Sequence, residues 1–284
     1  MREDLIIGVI ASLLATLITV IFTVLAIWIL MKVMPGFRLL VRSFGRLSQL
    51  PLSGRYLASF KSEAGSYCFE LYTIRRFFNL VWGDLIYIDD GTEKRYSFVG
   101  TIKNNILNGQ FRNDYGNRSD TGSFSLRLVD RSETDDALFF VGKVIWVDDD
   151  TSKQLATDYV LERRAGIQVR GSASHGYGVF AVNKYLKGDV LFRFRGTETS
   201  TRTKYSIQKI GSEEVHLEPV TFGHFLNHSC QPNAKLRLTR DDGLEVVATK
   251  AINVSEEICV NYLDTESKLL HPFDCKCAAS EHIV

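Results

Sequence analysis

A run of 27 residues, residues 5–31, contains no charged side chain. As a helix it would extend about 40 Å at 1.5 Å per residue, against a hydrocarbon core of about 30 Å. The run is longer than the apolar core of a usual signal peptide, and acidic Glu3 and Asp4 stand where such a peptide carries basic residues. The sequence therefore predicts a retained transmembrane anchor over residues 1–34, with a cleaved signal peptide as the alternative.

The basic residues around this run predict its orientation. Arg2 alone precedes the run. Four basic residues follow it: Lys32, Arg38, Arg42 and Arg46. By the positive-inside rule, we expect a single-pass membrane protein with residues 35–284 in the cytoplasm. Residues 35–51 are expected to form a basic linker, which either lies along the inner headgroups or is a plain helical connector.

Composition restricts the classes of function. Hydrophobic residues make up 45% of the 284 residues and charged residues 24%, so the chain can bury real cores. The net charge is +1, and Lys and Arg do not outnumber Asp and Glu in residues 51–164 or in residues 165–284. No nucleic-acid partner is therefore expected. The five cysteines form an odd set without a disulfide framework spacing, which agrees with a reducing compartment.

Residues 52–164 consist of short β-rich runs separated by clusters of turn-forming residues. Seven or eight such runs with short connections predict an antiparallel up-and-down β-barrel or a tight sandwich. Residues 98–102, 107–109 and 122–126 resemble the lipocalin-like barrels found behind transmembrane helices in some bacterial sensor and defence proteins. This resemblance implies a small ligand in the barrel mouth or self-association through the barrel, and a structural spacer is the alternative.

Three segments of the C-terminal part carry a set of motifs. They read HGYGVFA (residues 175–181), FLNHSCQPNA (residues 225–234) and EEICVNY (residues 256–262). In order and spacing they resemble SET-domain protein methyltransferases, whose patterns are GxG-x-FA, F-I/L-NHSC-x-PN and GEEL-x-x-x-Y. The resemblance implies a mainly β chain with a SET-type β-clip fold over residues 165–270 and a post-SET-like tail over residues 271–284.

The resemblance also implies S-adenosylmethionine as the methyl donor. Glycines at positions 176 and 178 let the backbone approach this cofactor without a Cβ clash. The Asn227 amide can both donate and accept hydrogen bonds, and the backbone of His228 can pair with an adenine edge. The predicted cofactor-binding residues are Gly176, Tyr177, Gly178, Asn227, His228 and Phe273.

Tyr262 stands where the SET-domain family keeps a phenol, so the resemblance implies that it is the catalytic residue. Methyl transfer from a sulfonium to an amine is an in-line displacement, so the site has to position two reactants. A lysine amine, with an ordinary pKa of about 10.4, must arrive neutral, and a phenol hydroxyl can orient it. Phe194, Tyr205 and Val260 are the predicted walls of the substrate channel. Val260 stands where an aromatic residue often sets the number of methyl groups, so the resemblance leaves that number open.

The tail and one turn depart from the family pattern. The family tail reads C-x-C-G-x-x-x-C, whereas here Ala278 follows Cys277. Ser255 replaces the usual glycine before the last motif. Because histidine is an accepted zinc ligand, one structural zinc is predicted on Cys230, Cys275, Cys277 and His282. A tail without zinc, with Cys230 packed as a small hydrophobe, is the alternative.

These features predict an S-adenosylmethionine-dependent protein-lysine N-methyltransferase tethered to the cytoplasmic face of a membrane. Its expected partners are a protein substrate lysine and the membrane. The alternative is a membrane-anchored protein that senses a ligand or a partner and whose SET domain binds without turnover.

Overall fold

The computed structural model of the chain describes only part of its residues. These are residues 16–25, 52–63, 65–89, 92–113, 120–129, 137–147, 152–173, 176–203, 205–209, 212, 214–239, 243–266, 269–270, 273–275 and 282–283. The chain divides into two compact units, Met1–Pro51 and Leu52–Val284.

The described part of the first unit is a helix of residues 16–25. Its side chains are all exposed, and the Thr23 hydroxyl donates to the Thr19 carbonyl over 2.7 Å. Across the described residues we find no helix with the length and apolarity that crossing a membrane requires. The described residues therefore do not support the predicted transmembrane helix. The rest of residues 1–34 and the linker of residues 35–51 lie outside the described residues.

The second unit begins with eight antiparallel strands that close into a barrel. They are β1 (Gly54–Lys61), β2 (Tyr67–Phe77), β3 (Leu80–Asp89), β4 (Thr92–Lys103), β5 (Ile106–Asn113), β6 (Thr121–Val129), β7 (Ala137–Val147) and β8 (Gln154–Arg164). Each strand pairs with the next, and β1 pairs with β8 through Ala58 and Leu161. The predicted up-and-down barrel is confirmed. The likeness to lipocalins, the ligand in the mouth and self-association stay predictions.

The two faces of each barrel strand meet different surroundings. Side chains alternate across a strand, so residues two apart share a face. On β2, Tyr72 and Ile74 point into the barrel, where they pair with Tyr56 and Gly54 of β1. Large buried side chains fill the interior: Tyr56, Leu85, Leu126, Phe140, Tyr159 and Leu161. The barrel interior is therefore a packed aromatic and aliphatic core.

A polar network lies inside this core. The Glu70 carboxylate accepts hydrogen bonds from the hydroxyls of Tyr72, over 3.2 Å, and Tyr159. The two phenol oxygens lie 2.8 Å apart. Burial raises the pKa of Glu70 from an ordinary 4.5 to about 7, against the lowering effect of its two tyrosine hydrogen bonds. Glu70 therefore titrates near neutral pH inside the folded barrel.

We predict that Glu70 makes barrel stability fall as the pH rises. Its folded pKa lies above its unfolded pKa, so its stabilising effect is complete below the unfolded value and is lost as the pH rises through about 7. Between pH 5 and 8 the free energy of unfolding should fall by roughly 2 kcal/mol from this group, and Glu70→Gln should remove that fall. Denaturant unfolding followed by tryptophan fluorescence is the measurement, since Trp82 and Trp146 lie in the barrel.

Asp158→Asn is the matched control for this experiment, because the Asp158 carboxylate on β8 is 89% exposed. It should keep the pH dependence of the unmodified chain. An unchanged pH slope in Glu70→Gln would contradict the prediction.

The remaining strands form small separate sheets, as the SET-type prediction requires. They are β9 (Ile167–Gly171), β10 (Tyr177–Ala181), β11 (Val190–Phe194), β12 (Gly196–Thr199), β13 (Ile207–Gln208), β14 (His216–Pro219), β15 (Asn227–His228), β16 (Ala234–Leu238), β17 (Leu244–Ala248), β18 (Cys259–Val260), β19 (Asp274–Cys275) and β20 (His282–Ile283). Two short 3-10 helices, Phe222–Phe225 and Tyr262–Asp264, lie among them. The sheet orders are β10-β9, β11-β17-β16, β12-β14-β13, β15-β18 and β19-β20.

The barrel and these sheets share one hydrophobic core. Leu57 and Phe69 of the barrel belong to the same buried cluster as Phe192 and Phe222. Arg164, at the end of β8, places its guanidinium 5.6 Å from the Phe192 ring centre and 5.8 Å from that of Phe222. A buried cation over aromatic faces holds the last barrel strand against the sheets that follow it. The domain boundary at residue 164 stays a prediction.

Candidate functional site

The three motif segments come together around the pair of strands β15 and β18. These two strands run parallel, with Asn227 beside Cys259 and His228 beside Val260. The first motif joins them through an antiparallel bridge between Phe180 and Glu257. Segments about 30 and 80 residues apart in sequence therefore form one site.

Asn227 links the first and last motifs by its side chain. Its Nδ2 donates to the Tyr177 carbonyl over 3.0 Å and to Glu257 Oε1 over 2.7 Å. Glu257 Oε2 accepts from the Ser172 hydroxyl over 2.9 Å. The Asn227 amide thus fixes the backbone of the glycine-containing motif.

The structure favours glycine at the two glycine positions of the first motif for different reasons. A Cβ at Gly178 would stand 2.2 Å from Glu257 Oε1 and 2.9 Å from Asn227 Nδ2, so any larger residue would displace these two side chains from each other. Gly176 has φ +64° and open space around it, so its backbone conformation, not crowding, favours glycine. Ser255 adopts φ 67°, which explains why the family has glycine there.

Tyr262 begins the second 3-10 helix, and hydrogen bonds of its hydroxyl and its backbone N–H position it. Its hydroxyl donates to the Leu226 carbonyl over 2.7 Å, and its backbone N–H donates to His228 Nδ1 over 3.3 Å. Asn261 caps the helix by accepting from the Leu263 N–H over 3.1 Å. Burial raises the pKa of Tyr262, so its phenol is neutral at physiological pH.

The rings of three residues, Tyr262, His228 and Phe273, lie close together in the site. The His228 ring centre lies 5.3 Å from that of Tyr262 and 5.7 Å from that of Phe273. The rings of Tyr262 and Phe273 are 6.3 Å apart. Four predicted cofactor-binding or catalytic residues, Asn227, His228, Tyr262 and Phe273, therefore lie within one neighbourhood.

Tyr177 stands at the edge of this neighbourhood and contacts the barrel. Its hydroxyl donates to Glu93 of β4. Burial, followed by this contact with Glu93, raises the pKa of Tyr177 to about 12. The barrel thus touches the predicted cofactor-binding motif directly.

The predicted channel residues occupy three different environments. Phe194 and Val260 are buried, with 4% and 2% exposure, in the shared hydrophobic core. Tyr205 is 39% exposed, and its ring lies 3.9 Å from the ring of His224. Of the three, Tyr205 offers a ring to solvent, and the roles of all three stay predictions.

The predicted zinc ligands are described only in part. Cys230 Sγ and Cys275 Sγ lie 3.8 Å apart, and His228 Nε2 lies 3.1 Å from Cys230 Sγ. These three ligand atoms form the one candidate metal group found among the described residues. His282 pairs by its backbone with Cys275, and Cys277 lies outside the described residues.

Two functional contributors were not singled out from the sequence. Glu257 accepts a hydrogen bond from the Asn227 side-chain amide. In the sequence it could have been recognised as the second glutamate of the last motif. Asn233 donates by Nδ2 to the Glu257 carbonyl over 2.7 Å and accepts from the Cys259 N–H by Oδ1 over 2.9 Å. In the sequence, Asn233 could have been recognised from the Pro-Asn pair of the second motif.

Comparison with known proteins agrees with this site. Residues 176–263 match the SET domain family, so this part of the chain is a SET domain. The histone-lysine N-methyltransferase set9 of Aspergillus fumigatus is 32% identical over 104 residues, which is 36% of this chain and 17% of that protein. The SET9 protein of Gibberella zeae, also a histone-lysine N-methyltransferase, is 52% identical over 40 residues, or 14% of this chain and 6% of that protein.

A solved structure adds a distant likeness. A humanized mutant of the Chaetomium thermophilum Polycomb Repressive Complex 2 aligns with 41% of this chain and 18% of its own chain, at 17% identity and a TM-score of 0.32. The chain thus spans less than a fifth of the length of each of these three proteins.

Proposed function

We propose that this chain is a protein-lysine N-methyltransferase that uses S-adenosylmethionine. The observation that carries the proposal is the convergence of the three motifs, with the Tyr262 hydroxyl 2.7 Å from the Leu226 carbonyl beside Asn227. The relatives' names, histone-lysine N-methyltransferase, support a lysine side chain as the acceptor.

The residues around β15 fit the proposed cofactor. Gly176 leaves open space beside the backbone, and the Asn227 amide contacts the carbonyl of the next residue, Tyr177. The backbone of His228 follows Asn227 on β15. The Phe273 ring, close to His228, can cover an adenine face. When bound, the cofactor supplies the methyl group as a sulfonium. Gly176, Tyr177, Gly178, Asn227, His228 and Phe273 are the residues proposed to hold it.

Tyr262 orients the acceptor and does not act as a base. Its raised pKa keeps the proton on the phenol, and that proton is donated to the Leu226 carbonyl. The lone pairs of the phenol oxygen then remain to accept a hydrogen bond from a neutral lysine amine. Since positioning is the main requirement of an in-line displacement, a fixed acceptor of this kind favours the transition state.

We predict that Tyr262→Phe lowers the turnover number about 100-fold or more and changes affinity for S-adenosylhomocysteine by less than about 3-fold. An interaction made in the transition state affects turnover and leaves cofactor binding intact. Transfer of radiolabelled methyl groups to core histones and to proteins of a cell extract measures turnover, and calorimetry measures affinity.

Tyr185→Phe is the matched control, because the Tyr185 hydroxyl also donates to a backbone carbonyl, that of Gly166 over 2.9 Å, away from the motifs. It should leave turnover unchanged. Equal losses of turnover and affinity in Tyr262→Phe would assign Tyr262 a structural role. Cofactor binding by the unmodified chain without transfer to any protein would favour the sensing alternative.

We also propose one structural zinc that connects the tail to the second motif. A tetrahedral zinc with Zn–S bonds of about 2.3 Å separates two sulfurs by about 3.8 Å. Cys230 and Cys275 have this 3.8 Å separation, so the thiol pair fits the ion. The proposed ligands are Cys230, Cys275, Cys277 and His282, and the ion would hold the tail against Cys230 of the second motif, just after β15.

We predict about one zinc per chain in protein purified without chelator, measured by elemental analysis. Cys230→Ser and Cys275→Ser should each lose the metal, because each removes one thiolate ligand. Cys68→Ser is the control, since Cys68 lies on β2 of the barrel, and it should keep the metal. Zinc retained in both ligand variants, or absent from the unmodified chain, would contradict the proposal.

We further propose that residues 1–34 anchor the chain, with residues 35–284 on the cytoplasmic side. The helix of residues 16–25 lies within the uncharged run and exposes Leu17, Ile21 and Phe22. An uncharged helix whose exposed side chains are mostly apolar favours a lipid environment over water.

We predict that the full chain stays with membranes after a carbonate wash and that a double variant, Leu17→Arg with Ile21→Arg, is released. Each arginine near the centre of a spanning helix costs about 2.5–3.5 kcal/mol. Leu186→Arg, at an exposed position of the SET domain, is the control and should stay bound. Release of the unmodified chain would overturn the anchor.

A further inference from the structure

Three aromatic rings are stacked where the barrel meets the SET domain. The His224 ring lies between Phe69 of the barrel and Tyr205, with ring centres 4.2 Å and 3.9 Å away. The planes are tilted by 37° and 32°. Phe69 is 4% exposed, and Tyr205 is 39% exposed. The stack therefore runs from a buried barrel residue to a ring at the surface of the SET domain.

Strand alternation explains why a barrel residue reaches this position. Glu70 and Tyr72 point into the barrel, so Phe69 and Leu71 point outward from the same strand. Phe69 belongs to the shared hydrophobic core, and Leu71 packs against it. The outer face of β2 thus forms a wall of the SET domain.

The stack adjoins the residues that position Tyr262. His224 lies in the 3-10 helix Phe222–Phe225, and Phe69 also contacts Phe225, with ring centres 5.0 Å apart. The next residue, Leu226, supplies the carbonyl that accepts the Tyr262 hydroxyl. Phe69 consequently supports both Tyr205 and the segment that leads to the catalytic tyrosine.

We propose that Phe69 of the barrel is a positioning residue for methyl transfer, which fixes the Tyr205 wall of the acceptor channel through His224. This inference rests on the proposed methyltransferase function and extends it, because it makes the barrel part of the acceptor site. The Asn227 contacts that organise the cofactor motif involve Tyr177 and Glu257 and not Phe69. Acceptor binding should therefore depend on Phe69, whereas cofactor binding should not.

The test is Phe69→Leu in the full chain, which keeps an apolar side chain and removes the ring. We expect KM for the acceptor protein most strongly labelled by the unmodified chain to rise roughly 3- to 10-fold, the effect of losing one aromatic pair. Affinity for S-adenosylhomocysteine should stay close to that of the unmodified chain. Because Phe69 is buried in the shared core, the midpoint of thermal unfolding should fall by a few degrees, and the kinetics are measured well below that midpoint. The change should fall on KM more than on kcat.

Phe77→Leu is the matched control. Phe77 lies on the same strand and the same outward face as Phe69, but it is 64% exposed. It should leave KM unchanged. In a Tyr205→Leu background, Phe69→Leu should add little, because the ring that it positions is already gone.

The outcomes separate the two proposals. An active chain whose acceptor KM is unchanged by Phe69→Leu, or changes only together with cofactor affinity, overturns the role of Phe69 alone. Full additivity with Tyr205→Leu also overturns it. A chain that binds cofactor and transfers no methyl group overturns the proposed function, and this inference with it.

Discussion

The parallel pairing of Asn227-His228 with Cys259-Val260 is the contact on which the site depends. Two strands of two residues supply few backbone hydrogen bonds, so side chains must hold the segments in register. Asn227 does so from one side through Tyr177 and Glu257, and Asn233 does so from the other through the Glu257 carbonyl and the Cys259 N–H. The amide side chain suits this work because it donates and accepts at once.

The barrel could be predicted from the sequence because its signals are local. Short β-rich runs and turn clusters indicated the strand number, and the two-residue connection Asn104-Asn105, with both φ values positive, is the hairpin type that asparagine favours. The motif segments could also be predicted from the sequence because their residue types and spacing are specific. The hydrophobic core shared by the barrel and the SET domain could not be predicted from the sequence. Strand alternation shows that β2 has two faces, but it does not show that Phe69 meets His224, more than 150 residues away.

The described structure also separates two kinds of sequence signal at the site. Gly178 is favoured because the Glu257 and Asn227 side chains pack against it, a reason that only the assembled fold reveals. Gly176 is favoured by its own backbone angle, which a turn pattern can suggest. Ser255 shows that a left-handed position can tolerate another residue, since its N–H still donates to the Ala181 carbonyl over 2.8 Å. Hydrogen bonding here offsets a local conformational cost.

Closure of the barrel has a consequence for the order of folding during synthesis. Ala58 pairs with Leu161, so the ring cannot close until about a hundred further residues have left the ribosome. Only then is the outer face of β2 held in place as a surface. The SET segment emerges after the barrel strands, so Leu57 and Phe69 can already be in place when it packs against them. Chain order thus allows the barrel to serve as an internal scaffold, and a SET segment moved into another protein would lose the core contacts of Leu57 and Phe69.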